Sequence, residues 1–147
     1  MIEDSREKVR ALVANAVDFH GHLGPFLVLG LRMGVIARHM LKPEGRNEMA
    51  VTMYLASNPP VSCTVDGVQV SSGCTIGKNT IRISEASDQV AGEFRVADRV
   101  CTIALKSQIV KSLLKHIGGA GEQGTLELAE DVMSRPDVDL FDVSSVP

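Results

Sequence analysis

Apolar residues recur at helical spacing in the first segment of the chain. The next segment, if helical, would be apolar on most of its faces. In the first segment they lie one, three or four positions apart: Val9, Leu12, Val13, Ala16 and Val17. This spacing predicts an amphipathic helix over residues 5–19, with Ser5 at its N-cap. Gly24-Pro25 favours the start of a second helix running to about Leu41, because proline suits the first helical position. We expect the second helix to be central and nearly buried.

The remaining pattern alternates short apolar runs with turns. It predicts a buried strand, a short helix, three strands and two helices, over residues 49–56, 63–70, 80–84, 90–96, 99–106, 107–117 and 125–134. Asp98 marks an antiparallel hairpin between the last two strands. This order indicates an α+β fold, a single domain over residues 1–147 with a central buried helix on a mostly antiparallel sheet. The acidic residues 135–147 are expected to form a surface tail.

Composition excludes several classes of protein. The chain has 147 residues, 44% hydrophobic, with a net charge of −3, which provides no basic surface for nucleic acid. The longest apolar run is interrupted by Arg32 and is too short to span a membrane. The first residues carry mixed charges and no apolar signal-peptide core. Three cysteines, an odd number, favour a reducing cytoplasm over a disulfide scaffold. We therefore expect a cytoplasmic protein without nucleic-acid or membrane partners.

Two histidines, His20 and His22, flank Gly21 immediately before the second helix. In an extended segment, side chains two positions apart point to the same side, so the pair would present two imidazoles together. Imidazole is the commonest metal ligand in proteins. The alternative is two solvated loop histidines, with the glycine serving the turn. The adjacent helix N-terminus favours anions, and could hold a substrate carboxylate or a metal-bound hydroxide there.

The cysteines differ in their surroundings. Cys63 lies at a predicted helix N-terminus, which should lower its pKa and favour a nucleophile or metal ligand, although a small buried cysteine is the alternative. Asp66 and Gln69 follow at one-turn intervals on the same face. Cys74 lies in a segment too polar and glycine-rich for a core element. Cys101 alternates with apolar residues on a strand, which predicts core packing.

The glycine-rich turn from Gly73 to Lys78 falls short of a phosphate-binding loop. It is one residue short, has Asn79 where Ser or Thr would hold magnesium, and leads into a predicted strand instead of a helix. Nucleotide hydrolysis is therefore excluded. Lys78 and the glycine-rich backbone could still bind an anionic group of a substrate.

Three motifs together resemble the family of proteins similar to the E-subunit of formylmethanofuran dehydrogenase: Phe19-His-Gly-His-Leu-Gly-Pro25, Cys63-Thr-Val-Asp-Gly-Val-Gln69 and Gly73-Cys-Thr-Ile-Gly-Lys78. The resemblance implies an α+β core, often dimeric, with His and Cys side chains meeting in a cleft that can hold zinc. It also implies association with a molybdenum- or tungsten-dependent enzyme of one-carbon metabolism in methanogens and other anaerobes.

The chain departs from the family pattern in three respects. Many members have cysteine in place of Gly24, and many carry a C-terminal cysteine-rich zinc-binding module, so the resemblance concerns the core domain only. Ser72 stands where threonine is frequent. The missing thiols argue against an electron-transfer role and leave the cleft of the core domain intact.

Our first hypothesis is a binding site for zinc or another divalent transition metal. Its ligands are His20, His22 and Cys63, with Cys74 close by and included in the candidate metal set. Cys63, Asp66 and Lys78 are the candidate catalytic residues, with the metal polarising a substrate or activating water.

Two other hypotheses compete with a metal site. One is a non-catalytic accessory subunit of a larger oxidoreductase, and the other is a thiol redox protein using Cys63 and Cys74. A homodimer is also expected, from the resemblance and from Gly30 and Gly34, which would let another backbone approach closely. Whether the chain is an enzyme stays open at this point.

Overall fold

The protein is an α+β domain, as its hydrophobic pattern predicts. The computed structural model describes residues 5–146. Its elements are α1 (Arg6–His20), α2 (Pro25–Leu41), β1 (Met49–Leu55), α3 (Cys63–Ser72), β2 (Ile81–Glu85), β3 (Ala91–Val96), β4 (Arg99–Leu105), α4 (Ser107–Ile117), α5 (Gly121–Ser134), α6 (Asp137–Leu140) and β5 (Phe141–Val146). The predicted helices and strands are confirmed to within a few residues, and the C-terminal strand is new.

The strands form one sheet in the order β2-β1-β3-β4-β5. Only β1 and β2 are parallel, with Val51 opposite Ile81, because α3 returns the chain between them. The other pairs are antiparallel, including the expected β3–β4 hairpin in which Val96 pairs with Arg99. Alternate residues of β1 face the core: Met49, Val51, Met53 and Leu55. The mostly antiparallel sheet is therefore confirmed.

Helix α2 is the centre of the core, as expected. Its residues are buried from Pro25 through Ala37, and it packs against α1, α3, α5 and the sheet. No helix within residues 5–146 is both long and apolar enough to cross a lipid bilayer.

Helices α2 and α3 touch through their backbones. A Cβ atom added to Gly67 would lie 2.6 Å from the backbone nitrogen of Leu31, and one added to Gly30 would lie 2.9 Å from the carbonyl carbon of Thr64. A Cβ atom added to Gly34 would meet the Ser71 side chain and would lie 2.9 Å from the Ser72 backbone nitrogen. The glycines of α2 thus serve a contact within the chain. The glycines therefore no longer support the expected homodimer, which rests on the family resemblance.

Residues 137–146 of the expected surface tail form α6 and the edge strand β5, and residue 147 lies outside the described residues. Residues 142–146 are exposed, as a surface segment should be. Leu140 and Phe141 are buried, and β5 pairs with β4 along its length. The segment is fastened by Arg32, a fully buried residue of α2 whose guanidinium contacts Asp137 at 2.6 Å. Arg32 also donates to the carbonyl oxygens of Val132 and Arg135. This cation, unexplained by the sequence pattern, is what holds the segment in place.

Candidate metal centre

The two histidines come together because the chain reverses direction between them. His20 is the last residue of α1, and Gly21 caps the helix in the left-handed region with a φ of 106°. The side chains are therefore not presented by an extended loop, as the sequence pattern indicated. The turn still brings the rings of His20 and His22 to 4.7 Å between centroids.

Asp66 fixes the orientation of the His20 ring. Its Oδ2 lies 2.5 Å from His20 Nδ1, and Gln69 Nε2 donates to its Oδ1 at 3.4 Å. Asp66 reaches the ring from the first turn of α3. The His20 side chain is only 11% exposed, and its Nε2 is buried without a hydrogen-bond partner. Buried polar atoms are nearly always satisfied, so an orphaned imidazole nitrogen at the wall of a cavity indicates a missing partner.

A small cavity of about 30 Å³ lies between α3 and the His20–His22 turn. Its wall includes three candidate donors, His20, His22 and Cys63. Apolar and small groups complete it: Gly24, Pro25, Phe26, Leu27, Pro60, Ile117 and Thr125. This volume accommodates one ion or about one water molecule. A Cβ atom at Gly24 would lie 3.6 Å from His22 Nε2, so the glycine leaves that side of the cavity open.

The side chains do not stand in a closed coordination shell. Among residues 5–146, no three His, Cys, Asp or Glu side chains are arranged as a metal site in their recorded positions. His22 is exposed and Cys63 is half-buried. Both can change rotamer at small cost, whereas the buried His20 ring is fixed by Asp66.

The Cys63 thiol does not have the lowered pKa expected from its position at a helix N-terminus. Burial raises its pKa, and the negative charge of Asp66 raises it further. A backbone hydrogen bond at Cys63 lowers the pKa, but by less than these two effects together. Desolvation of the thiolate therefore outweighs the helix terminus. The raised pKa favours the neutral thiol form of Cys63.

Cys74 does not join the histidines, which corrects its place in the predicted ligand set. It is buried, and its Sγ donates to the carbonyl oxygen of Met49 at 3.3 Å. Helix α3 separates it from Cys63, and ten helical residues span about 15 Å. Two cysteines form a disulfide only when their Cα atoms lie within about 7 Å. The Cys63–Cys74 redox pair is therefore excluded in this fold, whereas Cys101 is buried as predicted.

Lys78 belongs to a different part of the surface from the histidines. Its Nζ donates to the Arg46 carbonyl oxygen at 2.6 Å and to Asn47 Oδ1 at 3.2 Å. It lines a larger cavity of about 600 Å³. Of the three candidate catalytic residues, only Cys63 and Asp66 lie near His20.

Several wall residues are not predicted by the sequence. Ile117 and Thr125 come from α4 and α5, and Arg46 comes from the loop after α2. They lie far along the chain from the motifs, and no local pattern distinguishes them. Helical spacing does predict Gln69 as a neighbour of Asp66, and the structure confirms the hydrogen bond between them.

Comparison with known proteins identifies a family and a relative. The chain matches the family described as FmdE, Molybdenum formylmethanofuran dehydrogenase operon, over residues 19–142, a range that includes all three motifs. A relative in Archaeoglobus fulgidus, named probable S-adenosyl-L-methionine-binding protein, is 42% identical over 77 residues. That match covers 52% of this chain and 21% of the relative, so the chain corresponds to about a fifth of the relative's length.

Proposed function

The chain belongs to the FmdE family, and we propose that it binds one divalent transition metal, zinc by its donor set, between His20, His22 and Cys63. Family membership supports a role related to formylmethanofuran dehydrogenase. The metal is the function that the site supports best.

The observation that carries this proposal is the state of His20. Its Nδ1 faces the Asp66 carboxylate at 2.5 Å, while its Nε2 is buried without a partner in a side chain that lines the cavity. A carboxylate that accepts the Nδ1 proton leaves the Nε2 lone pair free. Carboxylate–histidine pairs of this kind support metal-ligating histidines in many proteins.

The donor set fits zinc. Two imidazoles and one thiolate suit a borderline-soft ion, and three protein ligands leave one position for water or a substrate. The bound metal would act as a Lewis acid or lower the pKa of a bound water.

The surrounding residues have separate tasks. Asp66 orients His20, and Gln69 in turn holds Asp66. Phe26 and Leu27 exclude bulk water from one side of the cavity, which strengthens electrostatic contacts inside it. Cys63 must lose its proton on metal binding, so its raised pKa makes metal affinity increase as the pH rises.

An accessory role in a larger oxidoreductase is compatible with this site, and a homodimer remains a prediction of the resemblance. Neither depends on turnover. We infer that the metal site, rather than a thiol pair, is the feature that any such assembly would use.

The test is metal content of protein purified anaerobically without a histidine tag. Elemental analysis should give about one zinc or cobalt ion per chain after loading. Cys63→Ser and His20→Ala should lose retention during dialysis, and Asp66→Asn should weaken affinity by about 10–100-fold because it removes the carboxylate behind His20.

The matched control is Cys74→Ser, which keeps a donor for the Met49 carbonyl and should retain the metal. A thiolate-to-metal absorption band in the cobalt form should vanish in Cys63→Ser and persist in Cys74→Ser. No metal uptake by wild-type protein, or equal loss in both serine variants, would overturn the proposal.

A further inference from the structure

The cavity of about 600 Å³ has Gln69 in its wall, and Gln69 also donates to Asp66, the partner of His20. It is formed where the end of α1, the loop after α2, the C-terminal half of α3 and the turn before β2 meet. Its walls are Phe19, Arg46, Gln69, Val70, Gly73, Thr75, Ile76, Gly77 and Lys78. Cavities of about 300–1,000 Å³ are of the size that holds a small organic molecule.

The charged groups of this cavity are all cationic. Arg46 and Lys78 line it, and no acidic residue does. Neither cation forms an ion pair with a carboxylate in the described part of the chain. Each instead donates to neutral backbone carbonyl oxygens, Arg46 to Val70 and Lys78 to Arg46. The cavity thus retains an uncompensated positive charge in a protein whose net charge is −3.

The Arg46 guanidinium is held in place before any ligand arrives. Its Nη2 donates to the Val70 carbonyl oxygen at 2.9 Å. A Cβ atom added to Gly73 would lie 3.1 Å from Arg46 Nε, so the glycine lets the planar guanidinium lie close to the backbone. A guanidinium fixed in this way presents its remaining N–H groups to an anion at little entropic cost.

The other walls are apolar and face solvent. Phe19 is 58% exposed and Ile76 is 63% exposed, although they come from α1 and from the turn before β2. An isolated exposed apolar side chain is ordinary, but two that line one cavity with two cations form an amphipathic binding surface.

We propose that this cavity binds a small organic anion with an apolar body, a carboxylate or sulfonate attached to an aromatic or branched hydrocarbon group. The anionic group lies between Arg46 and Lys78, and the hydrocarbon part packs against Phe19 and Ile76. A bare inorganic anion would leave the apolar walls unused, and a neutral hydrocarbon would leave the cations unpaired.

This binding does not require the metal, because none of residues 5–146 lines both cavities, and hydrogen bonds of Gln69 connect them. Gln69 Oε1 accepts from the Ile76 backbone at 3.1 Å, and its Nε2 reaches Asp66. The proposal is therefore tested in metal-stripped protein, where failure of the metal proposal does not affect the result.

The probe is naphthalene-2-sulfonate, titrated calorimetrically into the metal-stripped protein. Naphthalene-2-methanol and methanesulfonate serve as the neutral and the purely anionic analogues. We expect saturable binding of the sulfonate with a Kd below 1 mM (about −4 kcal/mol) and at least tenfold weaker binding of both analogues.

Two variants carry the test, each with a matched control on β2. Lys78→Gln should weaken the binding of naphthalene-2-sulfonate about tenfold by removing a charge-assisted contact. Ile76→Ser should weaken its binding about threefold. Arg82→Gln and Ile83→Ser remove the same kinds of side chain outside this cavity, and should bind within twofold of wild type.

Thermal unfolding confirms that each variant is folded, which is expected because all four side chains are exposed. Absence of saturable binding would overturn the proposal. Equal weakening in Lys78→Gln and Arg82→Gln would show attraction to overall charge only. Methanesulfonate binding as tightly as naphthalene-2-sulfonate would refute the role of the apolar walls.

Discussion

His20 and Cys63 show that the position of a residue on a helix does not alone determine its orientation or its pKa. His20 is the last residue of α1, yet its ring is fixed from α3 by Asp66. Cys63 is the first residue of α3, yet burial and Asp66 raise its pKa where the helix terminus alone would lower it. The identity of both residues was predictable from their motifs. The sign of the Cys63 shift was not, because it depends on a desolvation that only the packed structure provides.

Cys101 provides a pH-dependence test at a site unconnected with the candidate metal site. Burial raises the pKa of its thiol to about 11 from the ordinary 9.0. Above pH 9 the unfolded chain loses this proton while the folded protein retains it, so stability falls as the pH rises. Between pH 8 and 10.5 we expect Cys101 to account for a loss of about 2 kcal/mol in the free energy of unfolding.

The measurement is urea unfolding at both pH values for wild type and Cys101→Ala. The variant is less stable throughout because it leaves a cavity, but the Cys101 contribution to its pH dependence should be absent. An identical fall in stability between the two pH values in both proteins would show that other groups cause it.

At the scale of elements, the α2–α3 contact sets the geometry of the candidate metal site. Helix α2 begins five residues after His20, and α3 begins at Cys63, so the contact fixes the distance between the two parts of the site. The helices and most strands were predictable from hydrophobic spacing and from glycine and proline positions. Which helix the glycines of α2 contact was not predictable, because the spacing of small residues does not identify a partner.

Gly67→Ala tests this contact. Alanine favours helix by about 1 kcal/mol over glycine, but its Cβ would lie 2.6 Å from the Leu31 backbone nitrogen and closer to the Leu27 carbonyl. Overpacking should dominate, with a net loss of about 2–3 kcal/mol in the free energy of unfolding.

The control for Gly67→Ala is Gly118→Ala. Gly118 has helical angles and nothing within 4 Å of an added Cβ, so this change should cause no loss and a gain of up to about 1 kcal/mol. Chemical denaturation compares the two variants. Equal stability of the two would show that α2 and α3 can move apart freely.

At the scale of the whole molecule, Arg32 joins the beginning, middle and end of the chain. Its Nε donates to Ser5 Oγ at 2.8 Å, and its guanidinium holds the residues before β5 through Asp137. The sequence pattern indicates a surface position for residues 135–147 because the segment is acidic. A long-range ion pair leaves no local trace, so neither β5 nor its fastening could be predicted.

Asp137→Asn should destabilise the whole fold. The variant leaves the buried Arg32 guanidinium without its carboxylate, which should cost about 3 kcal/mol in the free energy of unfolding. Asp139→Asn removes the same charge from an exposed neighbour and should change stability by less than about 0.5 kcal/mol. Thermal melts of both variants test this, and similar melting temperatures would contradict the structural role of Arg32.

The backbone contact between α2 and α3 also determines how a solute reaches the buried His20 nitrogen. Two helices in direct backbone contact leave no gap between them through which a solute could pass. Ile117 of α4 and Thr125 of α5 line another side of the cavity. They flank a turn where a Cβ atom added to Gly118 or Gly119 would have no neighbour within 4 Å. His22 is the exposed residue of the cavity wall, so the proposed ion would reach His20 past the His22 side chain, and a substitution at His22 would alter the rate of ion exchange as well as the affinity.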